Sequence, residues 1–203
     1  MAFAAFRKSA TSTHWAKEAV LGLVSVRMSP VAFHLDYVVF PPIILGCLIA
    51  SARSEPWVAL PLLFLAGLAA WTLAEYLLHR FALHHWPYFA QFHLAHHDEP
   101  RAMIAAPTLF SVAFFVVTAL LPAWLLLGAG AALGWFAGFL AGYVAFGAVH
   151  HAVHHASGQG PALRHFKMLH AIHHHGDSAT NFGVTTAFWD RVFGTYQPNF
   201  KRR

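Results

Sequence analysis

Four stretches of this chain are apolar for so long that lipid, rather than water, is the solvent they can face. They run at about 37–52, 57–78, 108–127 and 131–149. A helix needs about 20 consecutive apolar residues to cross a bilayer, and the last three runs meet or approach that length. The first is short and contains Pro41 and Pro42, so it either begins earlier or is kinked by the prolines. Short turns at 51–56 and 128–130 pair the spans into two helical hairpins. Composition agrees: 58% of residues are hydrophobic and 10% charged, too few polar side chains to cover a water-facing surface. The expected fold is an all-α integral membrane protein. Four transmembrane helices in two hairpins carry a cytoplasmic, histidine-rich helical cap built from 79–107 and 150–203, all within one domain of residues 1–203.

Charge sets the sidedness. With two hairpins, the N-terminus, the 80–107 segment and the C-terminal tail share one side. Twelve of the thirteen Lys and Arg residues fall there and only Arg53 lies opposite, which places both termini and the cap in the cytoplasm. The net charge of +5 is thereby assigned to membrane orientation and not to nucleic acid. No removable signal peptide is expected, since the apolar stretch at 19–26 runs into Arg27 without a small-residue cleavage site. Residues 13–28 can form an amphipathic surface helix, with Trp15, Val20, Leu23 and Val24 toward lipid, or a soluble lead-in. The single cysteine, Cys47, excludes an intrachain disulfide, a Cys-based zinc site and an iron–sulfur cluster.

Seventeen histidines are the compositional outlier, and they cluster. His79 and His84, with His85 following, close the second span; His93, His96 and His97 form a His-x-x-His-His group. His150, His151, His154 and His155 close the fourth span; His170, His173 and His174 repeat His-x-x-His-His, followed by His175. Residues three and four apart share a helix face, so each group can aim its imidazoles one way. Neutral imidazole is the commonest metal ligand and suits iron, copper, nickel and zinc. Ten of these residues could supply two metals with five nitrogens each: His79, His84, His93, His96, His97, His150, His154, His170, His173 and His174. His85, His151, His155 and His175 read as surface residues, supports for a ligand, or alternatives to their neighbours. Glu75, four residues before His79, is expected to orient a ligand imidazole. Asp177 and Asp190 can serve likewise or be solvated; Asp98 and Glu99 read as solvated. Asn181 could ligate or bond a metal-bound water, with a structural role the plainer reading.

Read in order, these groups resemble the fatty acid hydroxylase and sterol desaturase superfamily. Its anchors here are Glu75-Tyr76-Leu77-Leu78-His79-Arg80-Phe81-Ala82-Leu83-His84, the two His-x-x-His-His groups, Asn181-Phe182-Gly183-Val184-Thr185, and Trp189-Asp190-Arg191-Val192-Phe193-Gly194-Thr195-Tyr196. The Glu-Tyr-x-Leu-His-Arg-Phe opening is most similar to the fatty acid 2-hydroxylase branch. The third group departs from the pattern, since His151 stands where an aromatic is usual, which leaves the ligands among His150, His151, His154 and His155 open. The resemblance implies four membrane helices beneath a cytoplasmic cap and a di-metal centre held by the ten histidines above. Iron is the expected metal, although zinc can occupy such imidazoles in purified protein.

The implied chemistry is dioxygen-dependent attack on an unactivated C–H bond of a membrane lipid, with hydroxylation of an acyl chain as the leading form. Desaturation, or hydroxylation of a sterol, carotenoid or other isoprenoid, is the alternative. At 203 residues there is no room for the cytochrome b5 domain often fused in this branch. A separate donor such as a cytochrome b5, ferredoxin or reductase is therefore expected. A haem-binding electron carrier fits less well, because axial haem ligands are single residues facing across a bundle. A metal transporter would need ionisable residues at mid-membrane depth in the third and fourth spans. The Ala- and Gly-rich composition, with no obvious endoplasmic reticulum retention signal, points to a bacterial inner membrane.

Overall fold

The computed structural model describes residues 26–158 and 160–200. Over these residues the chain is helical, apart from one short two-stranded ribbon. The elements are β1 (Val26–Arg27), α1 (Pro30–Phe33), α2 (Asp36–Ala52), α3 (Ala59–Leu77), α4 (Pro87–Asp98), β2 (Ile104–Ala105) and α5 (Thr108–Phe115), followed by α6 (Leu121–Leu127), α7 (Ala129–His155), α8 (Pro161–His175) and α9 (Phe188–Val192). Two π-helical turns, Leu78–Leu83 and Val116–Leu120, extend α3 and join α5 to α6.

Four helical stretches are long and apolar enough to cross a membrane: Pro30–Ala52, Ala59–Leu83, Thr108–Leu127 and Ala129–His155. At 1.5 Å per residue the shortest, of 20 residues, spans about 30 Å, the thickness of a bilayer core. Leu125 and Leu126 are 87% and 83% exposed, and burial that slight in such apolar side chains makes sense only against lipid. The first span begins earlier than position 37, at Pro30, and accommodates Pro41 and Pro42 inside α2. Their missing N–H groups leave the carbonyls of Tyr37 and Val38 without the usual intrahelical donor. The second and fourth helices run past their expected ends at 78 and 149, to Leu83 and His155. The first and third histidine groups therefore ride on membrane helices rather than on separate cap elements.

Of the expected surface helix at 13–28, residues up to 25 lie outside those described. Its described end is strand, pairing antiparallel with β2 in the register Val26↔Ala105 and Arg27↔Ile104. The Arg27 guanidinium also meets the Glu99 carboxylate. The ribbon ties the segment before the first span to the segment between the second and third.

α7 is the spine of the bundle, packed along both α2 and α3. Glycines set the closeness: a Cβ on Gly67 would lie 1.8 Å from the Trp135 carbonyl oxygen, and one on Gly138 1.9 Å from that of Phe64. Small residues at helix crossings let backbones touch in lipid, where packing replaces the hydrophobic drive. Above this seam Trp71 is buried edge-to-face against Phe115, Phe139 and Tyr143. At Gly128 the backbone takes φ +80° and turns α6 into α7 within one residue, a conformation glycine adopts without strain.

Gly138→Leu should cost stability by on the order of 1–3 kcal/mol or more, since its clash is with backbone that cannot swing aside. Gly46→Leu, whose Cβ meets nothing within 4 Å, should leave thermal unfolding in detergent unchanged. Equal melting temperatures for the two variants would refute this packing.

Candidate metal centre

The first histidine pair depends on a local departure from α-helix. His79 and His84 are five residues apart, an offset of about 140° at 3.6 residues per turn. The π-helical turn Leu78–Leu83 closes on i→i+5 spacing, which brings the fifth residue back toward the first. The two rings end 5.2 Å apart. Helix α4 begins with Pro87 at its first turn and presents His93, His96 and His97. The last turns of α7 present His150 and His154, and those of α8 present His170, His173 and His174.

These ten residues form two groups of five. His79, His84, His93, His97 and His173 make one; His96, His150, His154, His170 and His174 make the other. Within each group, one nitrogen per ring lies within 4.8 Å of all the rest. Both His-x-x-His-His motifs are divided: His93 and His97 join one group and His96 the other, while His173 parts from His170 and His174. The two groups abut, with His97 and His174 stacked at 4.1 Å.

The contacts between nitrogens show what such groups can hold. Nε2 of His93 lies 2.9 Å from that of His79, 3.0 Å from that of His84 and 3.0 Å from that of His97. An imidazole nitrogen has a single in-plane proton or lone pair, so it cannot hydrogen-bond all three. In the second group His170 and His154 meet at 2.8 Å, and His154 and His150 at 3.2 Å. Nitrogens about 2.0–2.1 Å from a shared ion, at right angles around it, stand about 2.9 Å apart. Nε2 of His96 and both ring nitrogens of His174 are buried without a protein partner, a costly state that a cation relieves. Five donors exceed the four of tetrahedral structural zinc and leave one position of an octahedron open. The donor sets fit transition-metal ions.

Protons and lone pairs are arranged to match. His79 Nδ1 donates to the Phe182 carbonyl at 2.5 Å, and His173 Nδ1 to the Thr180 carbonyl at 2.8 Å. Each ring therefore turns an unprotonated Nε2 toward its neighbours. Burial, aided by adjacent imidazoles, pushes the pKa of His84 down to about 4 and those of His96 and His173 to about 3. His93 and His170 are driven well below the usual range for the same reason. At neutral pH these rings are already unprotonated, as metal binding requires.

Between the two accepting carbonyls stands Asn181, buried, at φ +55°. Its amide donates to the carbonyls of Leu169 (3.2 Å) and Gln197 (2.9 Å), and its oxygen accepts from the Gln197 N–H at 2.9 Å. Asn181 holds the turn that orients two imidazoles and is not among the clustered donors. Asp190 does similar work, accepting from the N–H groups of Phe182 (2.8 Å) and Gly183 (2.9 Å) and from the Thr195 hydroxyl (2.7 Å). Contrary to expectation, the hydrogen bonds that Glu75 makes go to a loop and not to an imidazole. Its carboxylate accepts from the Val184 and Thr185 N–H groups at 2.5 and 2.9 Å and from the Thr185 hydroxyl. Its effect on His79 passes through this loop. The four-residue spacing of the motif hid that detour, because Glu75 and His79 are about one helical turn apart.

Of the fourteen histidines in the four sequence clusters, four lie outside both groups. His151 stacks on His155 at 4.3 Å, His85 bonds the Arg80 carbonyl, and His175 is exposed in a polar cleft. Within 150–155, His150 and His154 converge with the second group, and His151 and His155 are not among its clustered nitrogens. Asp177 caps its own turn through the Ala179 N–H at 3.1 Å. Asp98 neighbours His97 and favours its protonated form, against the larger opposing effect of burial.

A cavity of about 340 Å³ adjoins the centre. Its wall is aromatic and aliphatic (Trp71, Phe110, Phe115 and Phe146 among others) and includes His79 and His93 of one group and His96, His150 and His154 of the other.

The fatty acid hydroxylase family model matches residues 64–195, a stretch containing every clustered imidazole. The chain belongs to the fatty acid hydroxylase family. It is 38% identical over 153 residues to the ceramide very long chain fatty acid hydroxylase SCS7 of Saccharomyces cerevisiae, covering 66% of this chain and 38% of that protein. It is 31% identical to the dihydroceramide fatty acyl 2-hydroxylase FAH2 of Arabidopsis thaliana, covering 73% and 68%. The solved structure described as full-length scs7p with only its hydroxylase domain visible superposes with a TM-score of 0.73 at 31% identity, covering 82% of this chain and 67% of that one. Against SCS7 the chain thus spans well under half of the relative's length.

Asn181→Ala should weaken metal binding about 10–100-fold, the usual consequence of losing a group that orients ligands. Chelator competition measures this, and wild-type affinity in the variant would remove Asn181 from the centre.

Proposed function

We propose that the chain is a membrane-bound di-iron oxygenase that hydroxylates a lipid acyl chain, using dioxygen and electrons from a separate donor protein. The supporting observation is the apolar cavity whose wall includes imidazoles of both histidine groups. His79, His84, His93, His97 and His173 would hold one ion, and His96, His150, His154, His170 and His174 the other. Bound there, the metal pair supplies dioxygen activation: one oxygen atom enters a C–H bond as hydroxyl, and the other leaves as water after two electrons and two protons arrive.

The chain's own residues do the rest. Trp71, Phe110, Phe115 and Phe146 line a dry slot for the acyl chain, where each buried CH2 contributes about 0.8 kcal/mol. Phe182 and Thr180 carbonyls keep the His79 and His173 protons on Nδ1, so their Nε2 lone pairs stay available. Crossing the membrane just beneath the site lets a lipid enter the cavity from the side. The relatives are named for ceramide and dihydroceramide acyl groups, and an acyl chain of a membrane lipid is the substrate class assigned here.

Orientation follows from charge, with the cap on the cytoplasmic face. The relatives named above are eukaryotic and lend no weight to a bacterial inner membrane over endoplasmic reticulum.

Iron-loaded protein should contain close to two metal ions per chain. Labelled dioxygen should place label in a lipid hydroxyl, and His96→Ala and His173→Ala should each lose metal and product. Undiminished product from both variants would sink the proposal. In a Cys47→Ser background, an impermeant maleimide should label Arg53→Cys from outside intact cells and spare Gly158→Cys; the opposite pattern would invert the topology.

A further inference from the structure

Apart from its imidazoles and Glu75, the cavity gathers its polar groups around Asp36. Asp36 opens α2, and its Oδ2 accepts from the Tyr143 hydroxyl at 2.5 Å. The same hydroxyl lies 3.3 Å from Ser111 Oγ. All three residues line the cavity, yet Asp36 Oδ1 is buried and has no hydrogen-bond partner among the described residues. Glu75, the other carboxylate of the wall, is saturated by the N–H groups and hydroxyl of the 184–185 turn. Among the described residues, Asp36 Oδ1 is therefore the free carboxylate acceptor of this slot.

A buried acceptor without a donor costs free energy, and an ionisable group within a membrane span is by default a mark of function. Tyr143 is seven residues before His150 on α7, about 10 Å along the axis. The free oxygen thus sits in the same slot as the imidazoles, within the length of one lipid. A ligand N–H or O–H would complete it. A ligand carboxylate brings no donor and places two anions together in a medium of low dielectric constant.

We propose that Asp36, Tyr143 and Ser111 form a polar subsite that selects acyl lipids bearing an uncharged hydrogen-bond donor, an amide N–H or a hydroxyl, and rejects free fatty acids. The subsite deepens the lipid hydroxylase reading and rests on it for the nature of the chain. Its chemistry is that of recognition: Tyr143 tethers one carboxylate oxygen, and the other is presented to the ligand.

Three probes of equal chain length test this by binding alone: N-palmitoyl ethanolamine, methyl palmitate and palmitate, each added to metal-loaded full-length protein in detergent. The amide should bind about tenfold or more tighter than the ester, as expected for a hydrogen bond to a charged group, with palmitate weakest. Asp36→Asn keeps an acceptor for Tyr143 and turns an NH2 toward the cavity, so the amide should lose about tenfold and palmitate should gain. If that variant fails to retain metal, Tyr143→Phe, which removes only the tether, should narrow the amide-to-ester ratio. Equal affinities in the wild type, or unchanged ratios in a metal-retaining variant, overturn the proposal. Selective binding with no oxidation of any probe when electrons are supplied would leave the subsite standing and defeat the hydroxylase reading instead.

Discussion

Ten imidazoles packed ring against ring, with nitrogens about 3 Å apart, are the constraint to which the rest of this structure answers. Neutral rings cannot satisfy one another in that arrangement, because each nitrogen offers one proton or one lone pair and faces several neighbours. Protonated rings would repel, and burial already disfavours the charged form. A shared cation removes both difficulties at once. The polypeptide must then hold the rings in place from outside, since the crowded centre itself has no room for supporting side chains.

That support comes from the loop between α8 and the end of the described chain. Asn181 and Asp190 knit its backbone, and Glu75 on α3 pulls it against the membrane helix that carries His79. Tyr76, one residue on, extends the join: its hydroxyl accepts from Arg80 at 2.6 Å and lies 3.1 Å from that of Thr195. Buried polar networks of this kind specify one arrangement only if every member is satisfied. Here the carboxylates find N–H groups and hydroxyls, and the carbonyls that result as neighbours orient His79 and His173. Loop, helix and ligand are thus one mechanical unit.

The membrane helices serve the same centre from below. Glycine contacts between α3 and α7 hold side by side the two membrane helices that end in His79 and His150, and His96 of α4 packs on His150 at 4.7 Å between rings. The Trp71 cluster above the seam forms a wall of the cavity. An apolar slot opening beside metal-binding imidazoles suits a substrate that already resides in the bilayer, and family membership agrees with that reading. Asp36 interrupts the slot with one unmet acceptor, which turns an otherwise indifferent hydrocarbon channel into a selective one.

The amino-acid sequence by itself determined the four spans, the helical class and the histidine clusters from which the converging ten are drawn. Hydrophobic length and three- and four-residue spacing are local properties that survive without coordinates. Tertiary structure alone decided the partition of those histidines. His93 and His96 share a helix face, yet rings side by side there point to different centres once α7 and α8 close around them. It also moved Glu75 from its adjacent imidazole to a loop more than a hundred residues away. The five-residue spacing of His79 and His84 became useful only through a π-helical turn, and Asp36 met Tyr143 only because α2 and α7 pack together. Contacts between residues far apart in the chain have no signature in local periodicity, which is why the clustering of the imidazoles was legible and their division into two groups was not.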